Sequence, residues 1–266
     1  MQKKVLRIEI FQPTAHYRIP FSQKKVKNTY PLPPYSTVKG LLANLLKIDK
    51  GIREITNNPN QELILKLKEI KMAILGNFKY KTEDYTWVRN LEVNQHIKRF
   101  GDLKNRILNS EVEHPGGQSP VIINTLNEVK IYIYLWHPYE KFLEEIEKRF
   151  LNPSERNDPL HLGRSEDFII IENIKHITIK IDQIENNFKT FFWIPEKPFT
   201  WDENVHFNFE EIRGLLYRIP TFYRIVDQKR EFEYITVKLN NGIITNINFY
   251  VDSELGLPIF LANFSS

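Results

Sequence analysis

The sequence predicts an α+β fold, with a ferredoxin-like N-terminal domain at residues 1–187 and a β-rich C-terminal portion at residues 188–266. Two observations support this fold class. The predicted elements of the N-terminal part follow the order strand, helix, strand, strand, helix, strand, which is typical of an antiparallel sheet with both helices on one face. From residue 191 onward, short strands and turns replace this order.

The first strand is predicted at residues 3–11, where Leu6, Ile8 and Ile10 alternate with charged residues. A basic loop, TAHYRIPFSQKKVKNTY, follows at residues 14–30. Its cations stand among aromatic side chains, a combination that binds single-stranded nucleic acid. The alternative is a surface loop with ordinary solubilising lysines. The cations are Arg18, Lys24, Lys25 and Lys27.

Residues 30–48, YPLPPYSTVKGLLANLLKI, join a proline-rich turn to an amphipathic helix. The prolines keep the chain extended, so the helix is predicted to begin at Ser36 or Thr37 with that hydroxyl as N-cap. Apolar residues at i, i+3, i+4, i+7 and i+8 predict its buried face. They are Val38, Leu41, Leu42, Leu45 and Leu46.

Two residues of this helix do not serve helix stability. Lys39 places a cation near the positive end of the helix dipole, and Gly40 costs roughly 1 kcal/mol relative to alanine. Both suit a bound phosphate, because Lys39 adds positive charge and Gly40 allows a ligand to approach the backbone. The alternative is a tight helix-to-sheet contact at Gly40 with Lys39 in solvent.

The remaining elements are predicted from apolar periodicity and turn residues. They are a short helix near residues 61–68, a β-rich segment at 70–90, a strand at 120–136, a helix at 139–151 and a strand at 168–181. In the C-terminal portion, Asn241-Gly242 between two apolar runs predicts a β-hairpin with a two-residue turn.

The segment from Leu91 to Ser119 lacks the apolar periodicity of a core segment. Compact domains rarely contain so long a connection without a function. We therefore predict a projecting hairpin or flexible finger, which is rich in cations that suit phosphate contacts.

Charge is unevenly distributed along the chain. The net charge is +4, but residues 1–110 contain 21 Lys and Arg against 9 Asp and Glu, a net charge of +12, and the remainder has a net charge of −8. This asymmetry favours contact with nucleic acid and with other subunits, the alternative being a solvated lysine-rich surface.

The composition excludes several classes of protein. The 266 residues contain no cysteine, which excludes disulfides and cysteine-based zinc sites or nucleophiles. No apolar run approaches the roughly 20 residues that a membrane span requires, and the N-terminus is typical of a strand rather than a signal peptide. We expect a cytoplasmic protein without a membrane contact.

Three segments resemble those of one protein family. They are YPLPPYSTVKGLLANLL, LHLGRSEDFIIIENI, and the pair GLLYRIPTFYRI and FYVDSELGLPIFLAN near the C-terminus. The first is similar to the proline-led first-helix motif of the Cas-five family, CRISPR-associated RAMP proteins of type I interference complexes. The second is similar to the Gly-Arg-Ser-Glu segment of that family. The pattern most closely resembles the type I-B branch.

The resemblance implies a RAMP-type, RRM-like fold and a non-catalytic, RNA-binding subunit of a Cascade complex in antiviral defence. Such a subunit clamps the 5′ handle of the CRISPR guide RNA and caps the backbone filament, where it contacts Cas-seven backbone subunits and the large Cas-eight subunit. The finger would form a thumb against the guide. The RNA-binding residues expected from the resemblance and the residue patterns together are Arg18, Lys24, Lys25, Lys27, Ser36, Thr37, Lys39, Gly40, Arg89, Lys98, Arg99, Lys104, Arg106, Gly163, Arg164 and Ser165.

The Gly-Arg-Ser segment has two physical interpretations. Gly163 can form a turn with positive φ, and Arg164 can bind a phosphate with two hydrogen bonds. The alternative is a plain turn in which Arg164 pairs with Glu166 or Asp167.

A catalytic role is the second hypothesis. In the type I-C branch the homologous protein is an endoribonuclease that uses Tyr, Lys and His, because cleavage requires a general acid and base near one phosphate. Lys175-His176 is the only adjacent Lys-His pair, but its position does not match that branch; His16, His96 and His114 lie in predicted loops. A third hypothesis is a ferredoxin-like enzyme that binds a small phosphorylated ligand.

Other kinds of site leave little trace. The sequence contains no P-loop, no G-x-S-x-G and no H-E-x-x-H motif, and its histidines lack metal-ligand spacing. We expect no metal and no organic cofactor.

Overall fold

The computed structural model describes residues 3–20, 22, 25–48, 60–90, 97, 107–108, 111–112, 117–152, 154, 159–226 and 229–264. Its helices are α1 (Tyr35–Leu45), α2 (Gln61–Glu69) and α3 (Glu140–Leu151). Its strands are β1 (Lys3–Ala15), β2 (Tyr17–Arg18), β3 (Val26–Lys27), β4 (Thr29–Tyr30), β5 (Lys71–Asn77), β6 (Tyr80–Asn90), β7 (Ile107–Leu108), β8 (Glu111–Val112), β9 (Gly117–Trp136), β10 (Ile170–Asn187), β11 (Phe191–Pro195), β12 (Leu215–Val226), β13 (Lys229–Asn240) and β14 (Ile243–Asp252). None of the helices in these ranges is long and apolar enough to cross a membrane.

Most strands belong to one sheet, whose order is β12-β13-β11-β5-β9-β1-β10-β14. Strand β1 lies between β9 and β10 and is antiparallel to both, and β5 is antiparallel to β9 on its other side. The short strand β3 is the parallel neighbour of β9. The predicted combination of an antiparallel sheet with a small number of helices is confirmed.

The two faces of the sheet are covered by different parts of the chain. On one face, Leu6, Ile8 and Ile10 of β1 pack in a cluster with the apolar residues of α1, α2 and α3. On the other face, Val5 belongs to a second cluster that includes Phe249 and other C-terminal residues. The alternation of side chains along β1 therefore separates a helical layer from a C-terminal layer.

The C-terminal strands extend the same sheet at both ends, with β11 beside β5 and β14 beside β10. The expected hairpin at Asn241-Gly242 is wrong, because β13 pairs with β11 and β12 whereas β14 pairs with β10. The two-residue connection spans at most about 10 Å, while the six strand spacings between β13 and β14 would measure about 29 Å in a flat sheet. The sheet is therefore strongly curled.

Strands β6 and β9 form a long hairpin, paired from Tyr80 opposite Asn127 to Asn90 opposite Gly117. The predicted finger lies beyond this hairpin and falls mostly outside the described residues, so it stays a prediction. The division of the chain into two parts at residue 187 also stays a prediction.

Candidate nucleic-acid interface

The proline-rich turn brings the chain to α1 in an extended conformation. Pro34 is the N-cap residue, with φ −69° and ψ 156°, and no side chain caps the helix. The Pro34 carbonyl oxygen accepts from the N–H groups of Thr37 at 2.9 Å and Val38 at 3.3 Å. The expected N-cap at Ser36 or Thr37 is therefore wrong, because proline already sets the extended geometry of that position.

The predicted apolar face of α1 is confirmed, since all five of its residues are buried. Gly40 lies on an exposed part of the helix, and a Cβ atom added there would meet no atom within 4 Å. A tight helix-to-sheet contact at Gly40 is therefore excluded. Ser36, one turn earlier, lies on the same side of the helix and is half-buried. Together these two residues leave a stretch of helix backbone open to a ligand.

Lys39 does not point into solvent, contrary to the expectation for an anion site. Only 1% of its surface is exposed, and its Nζ donates a hydrogen bond to Lys68 O at 3.3 Å. The ring centroids of Phe264 and Phe222 lie 3.7 and 5.4 Å from Nζ. Burial lowers the pKa of Lys39 to about 7, with weaker opposing attraction from Glu233.

The reason for this burial is that α1 is covered on a second side. Phe222 belongs to β12 and Phe264 follows the last strand, so the C-terminal portion closes over the lysine. With its ammonium group in an aromatic cage, Lys39 contributes cation–π contacts to the packing of α1. RNA binding by Lys39 stays a prediction, but in this position its Nζ does not face a surface phosphate. A small pocket beside it is lined by Ser36, Lys39, Gly40, Ala43, Leu67, Phe222 and Tyr223.

The Gly-Arg-Ser segment forms the turn before β10. Gly163 has φ +114°, as predicted, and a Cβ atom there would lie 2.9 Å from both His16 O and Asp167 Oδ2. Arg164 donates from Nε and Nη2 to Asp167 Oδ2 and Oδ1 at 3.1 and 2.8 Å. Its Nε also lies 3.3 Å from Glu166 Oε1. The structure thus shows the alternative in which Arg164 pairs with neighbouring carboxylates.

Asp167 fastens this turn to the end of β1. Its buried carboxylate also accepts from the backbone N–H groups of His16 at 3.0 Å and Arg164 at 2.9 Å. Gln12 Nε2 donates to Leu162 O at 2.9 Å and to Asp167 O at 3.0 Å. Sequence reasoning missed this organising role. The position of Asp167, three residues after Arg164, indicates that these two side chains pair. No local sequence pattern indicates that Asp167 also binds Gln12 and His16 in and near β1.

Two of the predicted RNA-binding cations, Arg18 and Arg164, lie near the same buried histidine, and the three residues form one corner of the molecule. His16 Nδ1 lies 2.8 Å from Asn124 O. Burial lowers the pKa of His16, and the positive charges of Arg164 and Arg18 lower it further. Arg18 is exposed on β2, which pairs with β4. Arg18 and Arg164 therefore act on the same buried imidazole.

The other predicted residues are distributed as follows. Lys25 and Ser165 are exposed, and Lys27 and Thr37 are half-buried. The backbone of Arg89 lies in β6, but its side chain is outside the described part of the structure. The cations Lys24, Lys98, Arg99, Lys104 and Arg106 lie outside the described residues.

The Lys-His pair on β10 is engaged in two separate contacts. Lys175 Nζ lies 2.7 Å from Glu254 Oε2, and His176 Nε2 lies 3.4 Å from Glu147 Oε2. Because Lys175 and His176 pair with two different carboxylates, their side chains do not converge on one phosphate. Both His96 and His114 lie outside the described residues.

Comparison with known proteins gives one family and a shared fold. The family model described as CRISPR-associated protein (Cas_Cas5) matches residues 5–238. No curated protein matches the chain. A chain in a solved structure titled "CRISPR RNA-guided surveillance complex" has a TM-score of 0.53 at 11% identity, over 92% of this chain and 91% of that one. A CRISPR protein from Archaeoglobus fulgidus has a TM-score of 0.42 at 16% identity, over 98% of this chain and 99% of that one.

Proposed function

The chain belongs to the CRISPR-associated Cas-five family, and from this premise we propose that it is a non-catalytic, RNA-binding subunit of a type I-B CRISPR interference complex. In this role it clamps the 5′ handle of the guide RNA and caps one end of the backbone filament. There it contacts Cas-seven backbone subunits and the Cas-eight large subunit. Its cellular role is antiviral defence in the cytoplasm.

The observation that carries this proposal is the family match over residues 5–238. The strand order β5-β9-β1-β10, with α1 and α3 in the helical layer, supports a ferredoxin-like RAMP domain, because the second, third, first and fourth strands of the strand-helix-strand-strand-helix-strand unit are then neighbours. The shared fold with a chain of an RNA-guided surveillance complex supports assembly of the same kind.

We assign the guide contact to two surfaces. One is the corner that carries Arg18, Arg164 and the exposed Ser165, where cations suit phosphate oxygens. The other is the first turn of α1 beside Ser36, where the helix dipole favours an anion and the exposed Gly40 leaves room for a ligand. Lys39, of which 1% is exposed, supports this surface from inside by positioning α1 against the C-terminal portion. The finger beyond β6 and β9 forms the thumb.

A metal-independent endoribonuclease is the second candidate, and one observation favours it. His16 is an imidazole beside Arg18 and Arg164, and its lowered pKa leaves it neutral at pH 7, as a general base requires. Against it, His16 is 94% buried, since only 6% of its surface is exposed.

The experiment is to purify the chain with its neighbouring subunits from the native host and to sequence the bound RNA. We expect guides with one uniform short 5′ handle. Absence of RNA would instead favour a small phosphorylated ligand.

A cleavage assay separates the two leading candidates. The chain alone, with a repeat-containing transcript and EDTA, is expected to bind without cutting. Cleavage that is lost in His16→Asn, whose amide can still donate to Asn124 O, would favour the endoribonuclease. Cleavage only after addition of a separate nuclease would support the clamp.

A further inference from the structure

Two neighbouring large aromatic side chains, Tyr85 and Trp87, stand exposed on the β6–β9 hairpin, which also exposes 49% of Tyr80 at its start. Tyr85 exposes 66% and Trp87 59% of its surface, although rings of this size stabilise proteins most when they are buried. Their ring centroids are 6.4 Å apart and their planes are inclined by 86°. This edge-on contact covers at most one ring face, so the pair keeps open faces toward solvent.

The hairpin holds the pair on a regular ribbon. Tyr85 and Trp87 are two residues apart in β6 and therefore lie on one face of it, with Ile122 of β9 opposite Tyr85. Next to them, Thr125 Oγ1 donates across the ribbon to the Asp84 carboxylate. Cross-strand contacts of this kind stabilise the register, so both rings project from a fixed face of the ribbon.

The same face of β6 carries charges of both signs beside the pair. Glu83 and Lys81 lie two and four residues before Tyr85, so they share the face of the rings. Both are exposed. Exposed rings next to a cation suit a nucleotide whose base stacks on a ring and whose phosphate lies toward Lys81, whereas Glu83 disfavours a phosphate over the rings themselves.

From the exposure, the shared face and the charge pattern, we propose that Tyr85 and Trp87 form a stacking site for unpaired bases of single-stranded RNA. The site presupposes the proposed function, because it names where the RNA-binding subunit holds unpaired bases. Stacking on an aromatic ring tolerates every base. The pair therefore strengthens binding without reading sequence, and complements the phosphate contacts on the other surfaces.

The test is the binding of a labelled single-stranded fragment of the host CRISPR repeat RNA to the full chain, followed by fluorescence anisotropy. Tyr85→Ala and Trp87→Ala are each expected to raise the Kd about tenfold, and Trp87→Phe, which keeps a ring, much less. The slope of log Kd against log salt should not change, because stacking releases no counterions. Tyr139→Ala is the matched control. Tyr139 is the N-cap residue of α3, its surface is 62% exposed, and it does not belong to the hairpin.

Tryptophan emission gives an independent readout. Trp87 is far more exposed than Trp193, of which 1% is accessible, and Trp136 and Trp201 are half-buried. Binding of the RNA should quench the emission of the wild-type chain. The same RNA should leave the emission of Trp87→Phe nearly unchanged.

The outcomes separate this site from the function on which it rests. A wild-type chain that binds no RNA overturns both. A wild-type chain that binds RNA while the double variant Tyr85→Ala/Trp87→Ala binds it equally well overturns the stacking site only. If the double variant keeps its RNA affinity but no longer co-purifies with the neighbouring subunits, the rings dock a protein and the stacking site is wrong.

Discussion

The molecule places two motif cations, Arg164 and Lys39, in very different surroundings. Arg164 is held by a buried carboxylate, with two hydrogen bonds to Asp167, and this pairing raises its pKa. Lys39 is held by two phenylalanine rings and one carbonyl oxygen, and burial lowers its pKa to about 7. Arg164 is therefore permanently charged, whereas the charge of Lys39 depends on pH and on the packing around it.

The difference shows that a cation in a recognition motif need not be a recognition residue. Arg164 orders a turn and remains partly exposed, with 24% of its side chain accessible. Lys39 orders the contact between α1 and the C-terminal portion from inside. Apart from the partly exposed Arg164, positive surface charge for a polyanion then comes from exposed residues such as Arg18 and Lys25.

The largest effect is expected from breaking the carboxylate-held site. Asp167→Ala leaves Arg164 and the N–H groups of His16 and Arg164 without their acceptor, which should lower the free energy of unfolding by about 3–5 kcal/mol. Urea denaturation measures it. Glu166→Ala is the control, because Glu166 is 63% exposed in its side chain and should change stability by less than about 1 kcal/mol. Equal effects of the two variants on stability would contradict the role of Asp167 as the buried acceptor that holds this turn.

The next largest effect is expected from reversing the charge in the aromatic cage. Lys39→Glu places a carboxylate beside Phe222 and Phe264, and should destabilise the fold by about 3 kcal/mol. If Lys39 bound a phosphate at the surface, as the sequence predicts, the same variant would leave the fold intact. Lys39→Met keeps the length of the side chain and should cost less than about 1.5 kcal/mol. A Lys39→Glu variant of wild-type stability that loses RNA affinity would show that Lys39 faces the guide.

The pH dependence sharpens the same contrast. The pKa of Lys39 is about 7 in the folded chain, below its ordinary value of 10.5. Between these values the unfolded chain binds a proton that the folded chain does not, so stability rises with pH in that window and not below it. Relative to Lys39→Met, wild-type stability should rise by about 1 kcal/mol from pH 8 to 9. Parallel stability curves of the two proteins would disprove the lowered pKa.

The smallest effect concerns RNA binding and separates exposed from buried cations. Arg18→Ala and Lys25→Ala should each reduce the slope of log Kd against log salt by about 0.7, the contribution of one phosphate contact on a single strand. Lys39→Met should leave that slope unchanged. RNA titrations at several KCl concentrations measure this slope. A reduced slope in Lys39→Met would show that Lys39 contacts an RNA phosphate.

Features set by neighbours along the chain could be predicted from the sequence. The buried face of α1 follows from the helical period, and the positive φ of Gly163 follows from the demand of a tight turn. The organising role of Asp167 could not be predicted, because its acceptor oxygens serve groups in and near β1, 151 residues away for His16.

By itself, the sequence determined the strands and helices with strong periodicity, the proline-led entry to α1 and the motifs that identify the family. Only the tertiary structure decided the direction of Lys39 and the partners of β13 and β14. Phe222 and Phe264 cover Lys39 from distant parts of the chain, and a two-residue turn specifies how the chain reverses but not which strands accept its hydrogen bonds. Local periodicity fixes which residues share a face, whereas long-range packing decides what that face meets.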